Sequence, residues 1–384
     1  MSKSLKMRYI GIALVIAAFF IIFINRDVIQ KTSGNTIEIT QDDVYTKIKA
    51  LEKGQIGSAG WSIDFANDEV IILRDDAYFL TLMKEKDELS LNTIISIDGL
   101  GIKDREHIIV SYSPNGRYAL IGSNKKIYVW DISGKKIRDI GHIGINPSVC
   151  AWAGTSEYLA LTSANKGEAV VYNVFSGEIS SRSFDSIPVI NMIVSDEGDI
   201  ALEGDGGRCI YVDMAGAHDI IDQGGRLIAF DENSIFYAIE NNVMRFLADE
   251  HQLVRQMENG CRYLDADFNR VLFGNERSNS IYNIDANIIY TFYRGSASKV
   301  QMFSTDCQKM IFSNNGVIKL IDYSGRDIVL EDTAHPNLDT SYTWLNSEEI
   351  IKVIQEDDSV ISIISIHLKD GTESVLFEMP YKTS

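Results

Sequence analysis

Hydrophobic residues fall along this chain in two patterns. Residues Tyr9 to Ile24 form one unbroken apolar run of 16, preceded by Lys3, Lys6 and Arg8 and followed by Asn25, Arg26 and Asp27. Beyond residue 57 the apolar positions come in bursts of four to six, separated by clusters of Gly, Asn, Asp, Ser and Lys. The first pattern predicts a membrane-spanning helix, and the second predicts short strands joined by tight turns.

At a rise of about 1.5 Å per residue the run reaches roughly 24 Å, a little short of a hydrocarbon core of about 30 Å. Arg8 can snorkel and Tyr9 can sit at the interface to make up the difference. A cleaved signal peptide and a buried helix are the alternatives. The run ends Phe23-Ile24-Asn25-Arg26, without the small residues that cleavage requires, so an uncleaved signal-anchor is favoured. The basic residues before the span outweigh Arg26 and Lys31 after it, which sets residues 1–8 as a short cytoplasmic tail and the body outside the cytoplasm. Residues 25–56 read as a juxtamembrane stalk. Thr40 and Asp43 have capping-box spacing, Val44, Ile48 and Leu51 recur at helical spacing, and Gly54 can close the helix.

The clearest strand unit is IIVSYSPNGRYALIGSNKKIYVWDISGKKIRDI, from Ile108 to Ile140. It holds four short apolar segments divided by Pro-Asn-Gly, Ser-Asn-Lys-Lys and Ser-Gly-Lys-Lys turns. Related copies begin at Ile63, Cys150, Met192, Ile228, Tyr263, Gln301 and Tyr342. The apolar residues ending each first strand align as Phe65, Tyr112, Trp152, Val194, Phe230, Leu264, Phe303 and Trp344, with a mean spacing of about 40 residues. Four strands with that period predict an all-β propeller of four-stranded blades over residues 57–384, because radial packing buries both faces of each sheet. Eight copies favour eight blades; seven remain open because the first copy is weak. Closing the ring requires a strand from the other terminus, for which Ile37-Glu38-Ile39-Thr40 is the candidate, or a blade completed by its own hairpin.

Ser113-Pro114-Asn115-Gly116 followed by Tyr128-Val129-Trp130-Asp131 resembles the WD-repeat β-propeller pattern, and Gly141-His142 resembles the Gly-His that opens a following repeat. The corresponding later pairs are Tyr172-Asn173, Val212-Asp213, Ile284-Asp285 and Ile321-Asp322, so the likeness is to a degenerate member of that superfamily and implies the fold. The layout of one anchor before a degenerate propeller is similar to membrane-anchored, uncharacterised propeller proteins of Gram-positive bacteria.

Composition agrees with the strands: Ile outnumbers Leu by 53 to 24. A net charge of −18 argues against nucleic acid, because phosphate binding needs a basic stripe. Four cysteines, at 150, 209, 261 and 307, are too widely spaced for a knot or zinc module and read as buried thiols.

No catalytic motif emerges, and neither a cofactor nor a metal is implied. The six histidines lack metal-ligand spacing. Asp64, Asp267 and Asp306 stand beside predicted turns, Glu203-Gly-Asp-Gly-Gly207 reads as a tight hairpin, and Trp152 and Trp344 read as packing between blades. Three function classes follow. The favoured one is a non-enzymatic protein-binding scaffold of the cell envelope. A sensor for wall polymers or small solutes comes second, and a propeller enzyme (lactonase, lyase or quinone-dependent dehydrogenase) third. The residues singled out for partner binding are the acidic turns of the first and last copies, Asp75, Asp76, Glu356, Asp357 and Asp358, which ring closure makes neighbours.

Overall fold

A computed structural model of the chain describes residues 31–32, 36–39 and 61–380, except 86–87, 106, 125, 144, 164–166, 232, 268, 276–277, 293–298, 305, 315–316, 333–341 and 357–359. The segment 9–24 and the helix expected after Thr40 lie outside the described residues. Among those described, no helix is long and apolar enough to cross a membrane.

Eight antiparallel sheets follow one another, each built from four consecutive strands. The first blade runs from Ser62–Ala66 through Val70–Arg74 and Tyr78–Glu85 to Glu88–Ser96, and the eighth from Tyr342–Trp344 to Glu373–Pro380. First strands of successive blades abut one another around the axis, and fourth strands form the rim.

The packing explains why the strands read as continuous apolar runs. In Val70–Arg74, Ile71 and Leu73 enter a core shared with Ile351, Ile361 and Ile363 of the eighth blade. Val70 and Ile72 point the other way, into a core shared with Ala119, Ile121 and Trp130 of the second blade. A strand's two-residue period thus divides its side chains between two interfaces, both dry. The same division recurs around the molecule, giving a core at each of the eight blade junctions.

Ring closure is therefore hydrophobic. The first and eighth blades each supply their own four strands and meet through Trp61, Ile63, Leu80, Leu345 and Met379. The strand near residue 37 has another role. Thr36–Glu38 pairs with Lys136–Arg138 on the rim of the second blade, and Lys31–Thr32 pairs with it in turn, so this sheet has six strands. Ile37 lies opposite Ile137, Ile37 and Ile39 rest on the core shared by the first two blades, and Glu38 pairs with Lys136 at 3.4 Å. An exposed rim edge and an Ile-x-Ile alternation suffice to attract this strand. Part of the expected stalk thus belongs to the propeller.

The aligned repeat positions differ in burial. Trp152, Val194 and Trp344 are buried, and Phe65, Tyr112, Phe230 and Phe303 are half-buried. Leu264 differs, at 42% exposure. A bulge between Tyr263 and Asp265 turns it off the sheet, and Ala266, opposite Val271, takes the equivalent place.

Candidate functional site: a belted face and a central cavity

Because strands alternate in direction, the first–second and third–fourth turns of every blade emerge at one end of the ring. The second–third turns and the linkers between blades emerge at the other. At the first end, neighbouring turns are tied together. Asn67 Nδ2 donates to Asn115 O (3.3 Å), Asn115 N to Ser156 Oγ (3.2 Å), and Thr155 N to Asp196 Oδ1 (2.9 Å). Across the far side, the Arg270 guanidinium donates to Ser304 O (3.0 Å), Lys309 Nζ to Ser347 O (2.8 Å), and Asn346 Nδ2 to Asp68 Oδ1 (3.1 Å). Among the described residues, six of the eight junctions are stitched in this way.

Buried serines shape these turns. Ser113, Ser195 and Ser304 each accept, through Oγ, the backbone N–H of the residue that closes the loop: Tyr118 (2.9 Å), Asp199 (3.0 Å) and Lys309 (3.0 Å). Asp306 completes the last turn by accepting from Ser304 Oγ and Gln308 N. Its role is local, as Asp in a turn predicts.

Third–fourth turns at the same end leave apolar side chains in water. Phe175 is 55% exposed, Met214 78% and Tyr323 55%. Phe175 stands edge-on against the Tyr118 ring, with centroids 6.0 Å apart.

Inside the ring, first strands of the second to sixth blades line a cavity of about 870 Å³. Its wall includes Tyr112, Trp152, Phe230 and Tyr263, together with Asn191, Cys150, Asp231, Asp265 and Asp285. Turn residues Pro114, Gly154 and Asn269 belong to it, so it opens toward the belted end. Trp152 is held in the wall by its indole N–H to Ser111 O (3.3 Å) and by stacking on Tyr118, which makes it a packing residue between blades. Burial pushes the Cys150 thiol up, and burial with the Asp265 charge pushes the Tyr263 hydroxyl up, so both groups remain protonated at neutral pH.

Two polar clamps join first strands to their neighbours. Asp64, expected at a turn, instead occupies a bulge in the first blade. It accepts from Tyr112 of the second blade (2.5 Å) and pairs with Arg74 (3.1 Å). Burial, then the Asp64 charge, drives the Tyr112 hydroxyl well above its ordinary value. Glu203, almost wholly buried in the fourth blade, accepts from Arg226 (2.5 Å) and from Leu227 N (3.0 Å) of the fifth. The Glu203–Gly207 segment is indeed a hairpin. Gly207 has φ +78°, and a Cβ there would fall 2.7 Å from Gly225 O, so the turn needs glycine.

The acidic turn residues have unlike fates. Asp75 is buried, and its Oδ1 accepts from Ala77 N (2.8 Å) and Tyr78 N (2.5 Å), which fixes its own hairpin. Asp76 is exposed. Arg105 sits by this turn: its hydrogen bond to Asp98 (2.7 Å), then the charges of Asp98, Asp76 and Asp75, raise its pKa. Glu356 ends a strand of the eighth blade, while Asp357 and Asp358 lie outside the described residues.

Trp130 and Asp131, which carry the WD resemblance, are a fully buried core indole against Phe79 and a turn cap accepting from Gly134 N (2.9 Å). The Trp130 N–H meets no acceptor among the described residues, so that indole joins no hydrogen-bond network there. The four cysteines form no disulfide with one another; Cys209, Cys261 and Cys307 are buried.

No family model matches the chain, and no curated protein does. Among solved structures, the C-terminal WD40 domain of Sif2 is similar at 10% identity, covering 77% of this chain and 94% of that one, with a TM-score of 0.50. The chain is an eight-bladed β-propeller. A eukaryotic initiation factor matches at 11% identity over 85% and 88% of the two chains (TM-score 0.49), and Kluyveromyces lactis Hsv2 at 11% over 71% and 98% (TM-score 0.46). Identities this low speak to fold alone.

Proposed function

We infer that this propeller is a non-enzymatic, protein-binding scaffold, held at the cell membrane by residues 9–24 and standing outside the cytoplasm. The observation that carries the binding role is the belted end. Phe175, Met214 and Tyr323 are exposed apolar side chains on a frame already braced between blades, so ordering them against a partner costs little. The apolar run and its basic start support the anchor, as does the likeness of layout to anchored propellers of Gram-positive envelopes. Eleven residues lie between Ile24 and Thr36 on the rim of the second blade, a reach of at most roughly 40 Å, so the ring is kept near the anchor.

A photo-crosslinking residue replacing Met214 or Phe175, in the full chain within its own membranes, tests the scaffold. A discrete adduct at these positions and none at Asp76, on the opposite end, is expected. Equal adducts at both ends, or none, contradict it. The sensor reading rests on a separate observation, the aromatic-walled cavity of about 870 Å³, which lies in the size range of small-molecule sites.

A further inference from the structure

Among the described residues, the central cavity has carboxylates in its wall and no cation. Asp231, Asp265 and Asp285 come from the fifth and sixth blades, and no Lys, Arg or His belongs to the lining. Among the described residues none of the three is ion-paired. Asp265 accepts only the adjoining Ala266 N–H (2.8 Å), and Asp285 accepts from the Asn269 amide. By contrast, Glu203 is paired with Arg226 and Asp64 with Arg74. Among the described residues, the cavity couples a wall of carboxylates without a cation in its lining to aromatic surfaces, notably the half-exposed Phe230 and Tyr263.

That pairing selects one chemistry. Aromatic faces accept a methylene stem and attract a cation, while Asp231, Asp265 and Asp285, all exposed at the cavity, supply the counter-charge. An anionic ligand would meet three carboxylates and no counter-ion. A neutral apolar ligand would leave those carboxylates desolvated without compensation. We propose that the cavity receives a basic side chain, lysine or arginine, presented by the partner protein at the belted end. This rests on the scaffold reading and gives its partner a chemistry: a segment with one cationic residue flanked by groups that can lie against Phe175 and Met214.

The probe is the peptide acetyl-Gly-Lys-Gly-amide, with its Nε-acetylated twin, titrated by ligand-observed NMR onto the full chain in detergent. Saturable binding of the lysine peptide is expected, at least about tenfold weaker for the acetylated twin. The double variant Asp231→Asn, Asp265→Asn, which keeps acceptor oxygens and shape, should weaken binding about tenfold, and Phe230→Ala should weaken it also. Asp76→Asn should change nothing. Equal binding of the twins, wild-type binding by the double variant with an unchanged melting profile, or no saturable binding at all would overturn the assignment. So would n-butylammonium binding as tightly as the peptide, since the site would then read free amines. The titration uses no membrane or partner, so its failure alongside intact crosslinking at Met214 removes the cavity assignment and leaves the scaffold.

Discussion

The Asn346 side-chain amide donates to the Asp68 carboxylate at 3.1 Å, joining the last blade to the first across 278 residues of sequence. Behind it lies the apolar contact that closes the ring, Trp61, Ile63 and Leu73 against Leu345, Ile351 and Ile363. Removal of residues 342–384 strips one wall from that core and from the core shared with the seventh blade. The truncated chain is expected to lose cooperative unfolding, read by circular dichroism, and to aggregate; an unchanged melting profile would disprove a closed ring. Asn346→Ala alone should cost about 1 kcal/mol or less, since the bond is at the surface.

Trp152 offers a sharper probe of a single junction. Its indole is 9% exposed, stacks on Tyr118 and donates to Ser111 O. Trp152→Ala should lower stability by about 3–5 kcal/mol in chemical denaturation, as for large aromatic truncations in a packed core.

Much of the fold could be read from the sequence because propeller packing imposes its own signature. A strand such as Val70–Arg74 feeds two interfaces at once, so its residues are apolar without alternation, and turn formers punctuate it at regular intervals. Bulges were harder to foresee. They expel a residue without changing composition: Leu264 is the one expelled, and the equivalent place falls two residues on, at Ala266. The rim strand at Thr36–Glu38 was visible as a strand but not in its place, since an Ile-x-Ile alternation does not name its partner edge. Glu203 and Asp64 each stood as a lone acid within an apolar strand, the signal of a buried clamp, yet glycines beside the one and predicted turns beside the other suggested turns.

Glu203 makes that clamp measurable. Its carboxylate serves Arg226 and the Leu227 N–H together, and it is nearly inaccessible while Arg226 is partly hydrated. Glu203→Ala should destabilise by about 2–3 kcal/mol, less than a fully buried pair because Arg226 can be resolvated. Glu203→Gln, which keeps an acceptor for Leu227, should cost roughly half as much.

Stability should decline on the alkaline side. Burial, aided by Glu203, pushes the Cys209 thiol from its ordinary 9.0 up to about 12. The unfolded chain therefore releases that proton first. The stabilisation is complete below about pH 9 and is lost as pH rises toward 12. Burial raises the Tyr112, Tyr211 and Tyr263 hydroxyls as well and adds to the same slope. Melting temperatures from about pH 7.5 to pH 10.5 should fall, and Cys209→Ala should make the fall shallower.

The rim strand is tested by proteolysis. Ile37→Asp places a charge opposite Ile137 and against the core of the first two blades. Cleavage between residues 25 and 60 should become faster by about tenfold while the propeller fragment stays intact, because a strand added at an edge opens locally.

The proposed scaffold stands outside the cytoplasm, its belted end free to meet a partner. Met214, 78% exposed on that end, is the place to ask. The native thiols give little background, since Cys209, Cys261 and Cys307 are buried and Cys150 is half-buried. A Met214→Cys variant in intact cells, treated with a membrane-impermeant maleimide, should be labelled without permeabilisation and well above wild type. Labelling that appears only after the cells are permeabilised would place the ring in the cytoplasm and contradict the account.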